Sequence, residues 1–432
     1  MVVEGPRSRL VSSLSILRAP DTTYARWEAR YGRTYRVRAV NGDVICTSDT
    51  DVIRDLFRAK DDEVEAFRPD LAASFLGDRS VLALSGEAHR RERKLLMPPF
   101  HGERMRAYGE HIQRATLEAV AGWSAGDRVV MADTMLAVSL AVIARAVFGA
   151  TDRETHDAWV QDLRHYIEAF SPLTLFVPAL QTGLNPWWRR FERARDVLDA
   201  RILDAIAARR REPPGDDVLS MLAHATYEDG SPMPDRAALD ELKTLLFAGH
   251  ETTQISMAWA IYQLHRTPDA LARLQAELDA ADGAPDTLAA LPYLDGVVQE
   301  TLRIDPIVPD VLRTLTVPLR LGSFDLPAGT HLAPLAARVH ADPAIYPNPR
   351  AFDPSRFVDH RFRPWEFLPF GGGTRRCLGA ALATYEMRIV LGTLLKHVEL
   401  ALDGDDRMVR RTVTLAPEHG VRMRVTRIRA DA

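Results

Sequence analysis

One of the only two cysteines in the chain, Cys377, lies in the stretch FGGGTRRCLG between Phe370 and Gly379. Glycines precede the thiol and an apolar helical pattern follows it, so the thiol is predicted near a helix N-terminus. Unpaired backbone N–H groups and the helix dipole lower the pKa of a thiol in that position. Arg375 and Arg376 act in the same direction. The stretch therefore predicts a thiolate.

A thiolate can serve as a nucleophile, a redox group or a metal ligand. Spacing alone nominates no histidine base for nucleophilic catalysis. A redox pair lacks its resolving cysteine, because Cys46 falls in a predicted strand, where a small buried side chain is the expected role. An axial ligand to an iron porphyrin needs only one sulfur, with tight glycine backbone around it.

A second unusual stretch is AGHETT, from Ala248 to Thr253, inside an otherwise apolar helical pattern. A glycine and two adjacent threonines reduce helix propensity, which indicates a kink or an opened hydrogen bond beside a ligand. The alternative is a packing accommodation in which the threonine hydroxyls bond back to the preceding turn. His250 is expected to point away from the ligand side, because a helix turns about 100° per residue.

Glu300 and Arg303 are three residues apart in the stretch ETLR, so on a helix they share a face and can pair. Arg356, in the stretch FDPSRF, could complete a triad with them. The alternative is an ordinary surface ion pair, which contributes little to stability.

Composition limits the class of protein. The chain has 432 residues, 46% of them hydrophobic, and 55 basic against 59 acidic residues give a net charge of -4. Nothing global suggests a nucleic-acid partner. Two cysteines fit a reducing compartment, and no stretch resembles a secretory signal or a membrane span. These features predict a soluble cytoplasmic protein.

The elements that must position these residues are mainly helical, with small β-sheets. The alternating stretches RTYRVRAV and GDVICTSD flank Asn41-Gly42 and predict a hairpin. We expect a single domain with a strand-rich part at about 30–60, a helical core at about 85–305, a proline-rich segment with the Cys loop at about 306–379, and a helix with strands at 380–432. Two long apolar interruptions, 66–84 and 169–190, are predicted as functional loops, with simple packing on the core as the alternative.

These motifs together resemble the cytochrome P-450 family. FGGGTRRCLG followed by AALATYE, including Ala383 and Glu386, resembles the family's heme-binding loop. AGHETT resembles its oxygen-activating helix segment, ETLR its Glu-x-x-Arg pair, and FDPSRF the segment that supplies the third member of that network. The resemblance runs from about residue 20 to the C-terminus. It implies the single-domain P-450 fold, with heme between the long central helix and the helix after the Cys loop.

The resemblance also implies roles for individual residues. Thr252 and Glu251 would be catalytic, Thr252 by hydrogen bonding dioxygen or its water and Glu251 by relaying protons. Glu300, Arg303 and Arg356 would form a structural network. The heme would be held by Cys377 as the iron ligand together with His89, Arg93, Arg313, Arg375, Phe370, Gly371, Gly379 and Ala248. Four of these, His89 and the three arginines, would bind the heme propionates, although many relatives have Trp where this chain has His89.

The implied activity is that of a bacterial monooxygenase of specialised metabolism. It would use heme b and O2, with electrons from NAD(P)H through separate redox proteins, on a hydrophobic terpenoid, fatty-acyl or polyketide-like substrate. The predicted lining of the substrate pocket is Phe75, Leu76, Leu173, Phe176, Leu245, Val308, Val311 and Ala416. Alternatives are peroxide rearrangement, dehydration or oxidative coupling by a related enzyme, and a non-catalytic heme sensor. The pair Glu251 and Thr252, which such relatives commonly lose, argues against the first group.

Basic residues predicted behind the heme would suit docking of an acidic ferredoxin or flavodoxin, with a merely solvated face as the alternative. They are Arg90, Arg91, Lys94, Arg376, Arg388 and Lys396. The protein itself is expected to be a monomer.

Overall fold

The computed structural model describes residues 4–40, 42–100, 103–150, 152–171, 174, 178–411 and 414–429. Most of this part of the chain is helical, and the strands form small sheets. None of the helices in these ranges is long and apolar enough to cross a membrane.

The helices divide between the two halves of the chain. Those of the first half are α1 (Arg9–Arg18), α2 (Pro20–Tyr31), α3 (Thr50–Arg58), α4 (Pro69–Leu76), α5 (Gly86–Leu96), α6 (Glu103–Val120), α7 (Met131–Ala146) and α8 (Arg153–Ala169). Those of the second half are α9 (Pro186–Arg209), α10 (Val218–Ala223), α11 (Asp235–Arg266), α12 (Pro268–Asp279), α13 (Pro285–Ala290), α14 (Pro292–Ile304), α15 (Ala336–Val339) and α16 (Ala380–His397). Short 3-10 helices cover Pro98–Phe100, Pro178–Leu180, Pro354–Phe357 and Gly373–Arg375.

The strands are short. They are β1 (Thr34–Ala39), β2 (Gly42–Thr47), β3 (Val64–Ala66), β4 (Arg128–Val130), β5 (Arg313–Leu315), β6 (Leu319–Leu321), β7 (Phe324–Leu326), β8 (His331–Pro334), β9 (Val398–Leu402), β10 (Met408–Arg410), β11 (Leu415–Pro417) and β12 (Arg422–Ile428). A five-stranded sheet has the order β1-β2-β8-β5-β3, and a three-stranded sheet has the order β4-β12-β9. Two hairpins, β6-β7 and β10-β11, complete the set for the described residues.

The first hairpin forms where the alternation predicts it. β1 and β2 pair antiparallel, with Ala39 opposite Gly42. The predicted turn was Asn41-Gly42, but Gly42 is already the first residue of β2. Asn41 lies outside the described residues.

The central helix α11 runs through the hydrophobic core. One apolar cluster joins its C-terminal half to α6, α7, α12, α14 and α16, and a second joins its N-terminal half to α4, α5, α7, α8, α9 and α10. A helix with apolar side chains on nearly all faces is stable only when it is surrounded. Surrounding helices therefore fix α11 on both sides, which makes it a rigid support for a site.

The structure corrects several predictions of secondary structure. The apolar interruption at 66–84 contains a helix, α4, which begins with Pro69 and ends at Gly77, where φ is +104°. Two residues in this segment are typical of helix ends: a proline at the first helical position and a glycine with positive φ after the last helical residue. The segment is short, so these signals were not recognised. In the proline-rich segment, the stretch HLAPLAARV divides into β8 and α15. Helices α1 and α2 precede the hairpin, and α11 is helical without a break through Ala248–Thr253.

Gly296, in α14, allows close approach of the 3-10 helix Pro354–Phe357. A Cβ atom at position 296 would lie 2.6 Å from the carbonyl oxygen of Pro354. We expect Gly296→Ala to lower the free energy of unfolding by about 1–3 kcal/mol, the usual cost of overpacking a core. Urea unfolding measures this loss. The control is Gly122→Ala, because a Cβ there meets nothing within 4 Å. Equal stability of the two variants would show that the contact is not tight.

Candidate active site

The Cys loop is held by backbone hydrogen bonds within a tight turn. The Cys377 N–H donates to the Phe370 carbonyl at 3.0 Å, and the Gly371 N–H donates to the Leu368 carbonyl at 3.0 Å. Gly371 has a φ of +62°, a conformation that favours glycine. At Gly372 an added Cβ would lie 2.2 Å from the Phe57 ring, so the ring packs directly on the loop backbone.

The environment of the Cys377 sulfur differs from the prediction. Cys377 is exposed, yet desolvation by surrounding protein raises the pKa of its thiol. The Gly379 N–H and the charges of Arg376 and Arg93 lower the pKa, but burial outweighs them. The predicted lowering by the helix end and the arginines was therefore wrong in net direction, since α16 begins only at Ala380.

Four basic side chains collect beside the loop. Burial and the charge of Arg375 lower the pKa of Arg313 to about 10. Burial, then Arg375, lowers the pKa of His89 to about 4, with Arg93 and Arg313 adding to the effect. Burial also lowers the pKa values of Arg93 and Arg375. His89 is therefore neutral near pH 7 while the three guanidinium groups keep their charge, so the cluster favours an anionic ligand.

Asp61 approaches this cluster, with its Oδ1 atom 3.5 Å from Nδ1 of His89, and with Glu65 it partly offsets the lowering of the Arg375 pKa. Sequence reasoning missed it, because nothing in its surroundings marks it. Within the described residues, His89 Nδ1 and Arg375 Nε have no hydrogen-bond partner although both atoms are buried. Unpartnered buried nitrogens are costly, so a ligand that accepts hydrogen bonds there would stabilise the protein.

One face of α11 is accessible in a stretch that is otherwise largely buried. Leu245, Gly249 and Thr252 are half-buried and Ala248 is exposed. These positions are spaced three and four apart, so they lie on a single helix face. The Thr252 hydroxyl donates to the Ala248 carbonyl at 2.8 Å, which is the bond to the preceding turn that the sequence left open. The face offers apolar surface next to a hydroxyl.

Glu251 and His250 flank that face differently. Burial raises the pKa of Glu251, while the hydroxyl of Thr414 and the charge of Arg411 lower it. The Thr414 hydroxyl makes no hydrogen bond of regular geometry within the described residues, so its effect comes from proximity. His250 is buried and its Nδ1 bonds to the Leu246 carbonyl at 2.9 Å, which places it in the helix packing as expected. Sequence reasoning found neither Thr414 nor Arg411, which come from a distant segment.

The structure brings Glu300, Arg303 and Arg356 together. Arg303 donates to Glu300 from Nε at 2.6 Å and from Nη2 at 2.8 Å, with both side chains fully buried. Arg356 Nε lies 3.4 Å from Glu300 Oε1. A bidentate pair in the interior is strongly held, and so it differs from the surface ion pair that was the alternative.

The predicted pocket lining is only partly placed at an accessible surface. Phe75 and Leu76 belong to the core: Phe75 packs against Phe170, Trp188 and Phe191 at 4.9, 5.6 and 5.1 Å between ring centroids. An apolar run cannot distinguish a pocket wall from core, which is why this prediction failed. Ala416 is fully buried, Val308 and Val311 are half-buried, and Leu173 and Phe176 lie outside the described residues.

Most of the basic residues predicted to form a docking face are engaged within the protein. Arg90 pairs with Glu87, Lys94 with Glu228, Arg91 with Asp229 at 3.1 Å and Arg388 with Asp295 at 3.4 Å. Lys396 donates to the carbonyls of Leu278 and Ala281 at 2.9 and 2.8 Å. For Arg376 no ion pair is found within the described residues. The sequence could not reveal these partners, because several are more than a hundred residues away.

Comparison with known proteins gives the family. The family model described as cytochrome P-450 matches residues 13–421. The chain is a member of the cytochrome P-450 family. As such it is a heme-thiolate monooxygenase in the general sense, and an oxidoreductase that uses O2.

Relatives of this P-450 include mycobacterial proteins. Cytochrome P-450 135B1 of Mycobacterium tuberculosis is 36% identical, over 98% of this chain and 90% of that protein. Cytochrome P-450 138 of the same species is 34% identical, over 98% and 95%. The retinoic acid bound cyanobacterial CYP120A1 has a TM-score of 0.85 at 27% identity, over 97% and 96% of the two chains. The P450DA heme domain, at 22% identity and a TM-score of 0.87 over 99% and 98%, shares the fold. The predicted P-450 fold is confirmed.

The residues present fit a heme. The accessible Cys377 thiol could ligate iron, a cluster of basic groups with unpartnered nitrogens suits two propionates, and an apolar helix face suits a flat porphyrin. A Cβ at Gly379 would meet nothing within 4 Å, so the start of α16 also leaves room.

Removing Arg303 should leave the Glu300 carboxylate buried without its partner. We expect Arg303→Ala to lose about 3–5 kcal/mol of unfolding free energy and to accumulate poorly, without heme. The matched control is Arg153→Ala, which breaks an exposed pair with Asp157 at 3.8 Å and should cost less than about 1 kcal/mol. Thermal unfolding and heme content measure both. A stable, heme-loaded Arg303→Ala protein would contradict a structural role for the pair.

Proposed function

We propose that this P-450 inserts one oxygen atom of O2 into a C–H or C=C bond of a hydrophobic molecule. The observation that carries the proposal is the accessible face of α11, where Ala248 and Leu245 offer apolar surface beside Thr252 and the half-buried Glu251. We propose that the cofactor is heme b and that the substrate is a terpenoid or fatty-acyl molecule of specialised metabolism. The protein would act as a cytoplasmic monomer and receive electrons from NAD(P)H through separate redox proteins.

The heme would be held through Cys377, with Arg93, Arg313, Arg375 and His89 on its propionates. When bound, it supplies redox chemistry at iron that activates O2, and a thiolate ligand favours O–O bond cleavage. As an iron ligand Cys377 would be a thiolate, so it would have to lose a proton although burial raises the pKa of its thiol. Arg93 and Arg376 favour that deprotonation.

Glu251 and Thr252 would supply protons to the reacting oxygen. Because burial raises the pKa of Glu251, its carboxyl group holds a proton more readily than an exposed glutamate does. Thr414 and Arg411 oppose this shift, so Glu251 can both hold and release a proton. The Thr252 hydroxyl, now bonded to the Ala248 carbonyl, can reorient toward an oxygen that lies on the accessible face.

The substrate class is supported by two observations. The accessible face is apolar at Leu245, Ala248 and Gly249. The cyanobacterial relative at 27% identity is named for bound retinoic acid, which is an isoprenoid chain with a carboxylate. Together they favour an isoprenoid or fatty-acyl molecule.

Thr252→Ala tests the oxygenase function. We expect the variant to retain heme. Supplied with redox proteins and a substrate that the wild-type protein oxidises, it should still consume NADPH but release hydrogen peroxide. Product formed per NADPH should fall at least about tenfold, since a positioned proton donor contributes that much or more. Thr253→Ala is the control, because Thr253 is adjacent but buried in the helix packing. Product yield unchanged by Thr252→Ala would overturn the proposed role.

We further propose that an acidic ferredoxin or flavodoxin docks at a groove outside the Cys loop. The groove has a volume of about 420 Å³ and is lined by aromatic side chains, the backbone of Gly371–Gly373 and the arginines Arg54, Arg58, Arg363 and Arg376. Arg58 and Arg363 lie over the Trp365 ring at 5.9 and 6.0 Å. For Arg58, Arg363 and Arg376 no ion pair is found in the described part of the chain, whereas Arg54 pairs with Asp51 and Asp55.

Charge reversal locates the docking site. Arg363→Glu should raise the KM for an acidic ferredoxin by about tenfold at low salt, and added salt should shrink the difference. Arg90→Glu is the control, because Arg90 already pairs with Glu87 and should change KM little. Reduction by dithionite must be normal in both variants. A larger rise in KM in Arg90→Glu than in Arg363→Glu would show that the ferredoxin docks on α5 instead.

A further inference from the structure

A buried histidine, His340, contacts both the Glu300–Arg303 pair and the segment that leads into the Cys loop. Its side chain is 1% exposed. Its Nδ1 atom lies 3.1 Å from the Arg303 carbonyl oxygen, and the Leu368 N–H donates to its Nε2 atom at 2.8 Å. Neither partner is near it in sequence, so no spacing or motif indicates this role.

The two contacts define one protonation state of the ring. Nε2 accepts a hydrogen bond and therefore carries no proton, so Nδ1 carries the proton and donates to the Arg303 carbonyl. Burial, with the Arg303 charge beside it, lowers the pKa of His340 to about 3. The ring is therefore neutral at physiological pH, and both hydrogen bonds persist there.

Hydrogen bonds continue from the ring to the ligating residue. Arg303 Nη1 donates back to the His340 carbonyl at 2.9 Å, which makes that contact reciprocal. Beyond the ring, the Leu368 carbonyl accepts from Gly371 at 3.0 Å, and the Phe370 carbonyl accepts from Cys377 at 3.0 Å. The buried ion pair is thus joined to the backbone of Cys377 through His340.

We propose that His340 is a positioning residue: the Arg303 carbonyl holds the ring with its proton on Nδ1, and the unprotonated Nε2 atom anchors the Leu368 N–H and so keeps the Cys377 sulfur in place to ligate iron. This inference rests on the ligand role of Cys377 proposed above. The absorption spectrum of the wild-type protein tests that role separately.

Two substitutions separate the contacts of the ring. The amide group of Asn lies near the position of Nδ1, so H340N can keep the bond to Arg303 but cannot reach Leu368. The amide group of Gln lies near the position of Nε2, so H340Q can accept from Leu368 but loses the bond to Arg303. The matched control is Tyr346→Phe, which removes another buried hydrogen bond to the same segment, from the Tyr346 hydroxyl to the Glu366 carbonyl at 2.9 Å.

The measurement is the rate at which the reduced, carbon monoxide-bound protein changes in mild urea from the thiolate spectrum to the spectrum of a neutral ligand. We expect this rate to rise about tenfold in H340N, because the Leu368 N–H is left buried without an acceptor. H340Q should stay within about threefold of wild type, and Tyr346→Phe should lower the unfolding temperature without changing the rate. Equal rates in H340N and H340Q, or a wild-type rate in H340N, would overturn the proposal.

Hydrogen exchange gives a readout that does not depend on heme or on activity. A peptide covering Leu368 to Cys377 should lose protection in H340N and keep it in H340Q. If H340N does not accumulate as folded protein, H340Q alone decides, since loss of protection in that variant contradicts the role of His340 as the acceptor for the Leu368 N–H. Absence of a thiolate spectrum in the wild type would instead reject the ligand role of Cys377.

Discussion

The buried ion pair of Arg303 and Glu300 anchors the chain around the Cys loop. The two side chains are 1% and 0% exposed, and buried charges are stable inside a protein only when their hydrogen-bonding groups are satisfied. Arg303 meets this condition by donating to Glu300 and to the carbonyls of His340, Pro349 and Ala351. Because these carbonyls belong to one segment, the pair fixes the path of the chain between β8 and the Cys loop. The geometry at the sulfur depends on that path.

Burial shifts the pKa values of the groups at the Cys loop. Burial raises the pKa of the Cys377 thiol, while Arg313, Arg375, Arg93 and His89 repel one another and are lowered in pKa. In the proposed function, Cys377 would ligate the heme iron as a thiolate, and the guanidinium groups would neutralise the propionates. The proposed ligand therefore suits both the thiol and the basic cluster.

Local patterns in the sequence predicted much of this protein. The fold class and the pairing of Glu300 with Arg303 follow from helical spacing and family motifs, because both depend on residues close in the chain. Long-range contacts could not be predicted: Thr414 beside Glu251, Leu368 on His340, and the acids that pair with Arg91 and Lys94 of α5 lie far away in sequence. Burial was also misjudged at Phe75, since an apolar side chain packs equally well in a core or a pocket.

The absorption spectrum of purified, dithionite-reduced protein with carbon monoxide tests the central claim, that Cys377 ligates heme iron as a thiolate. A strongly red-shifted Soret band in the wild-type protein, absent in Cys377→Ser, is the predicted result. A wild-type spectrum typical of a neutral ligand, or a red-shifted band that persists in Cys377→Ser, would contradict it.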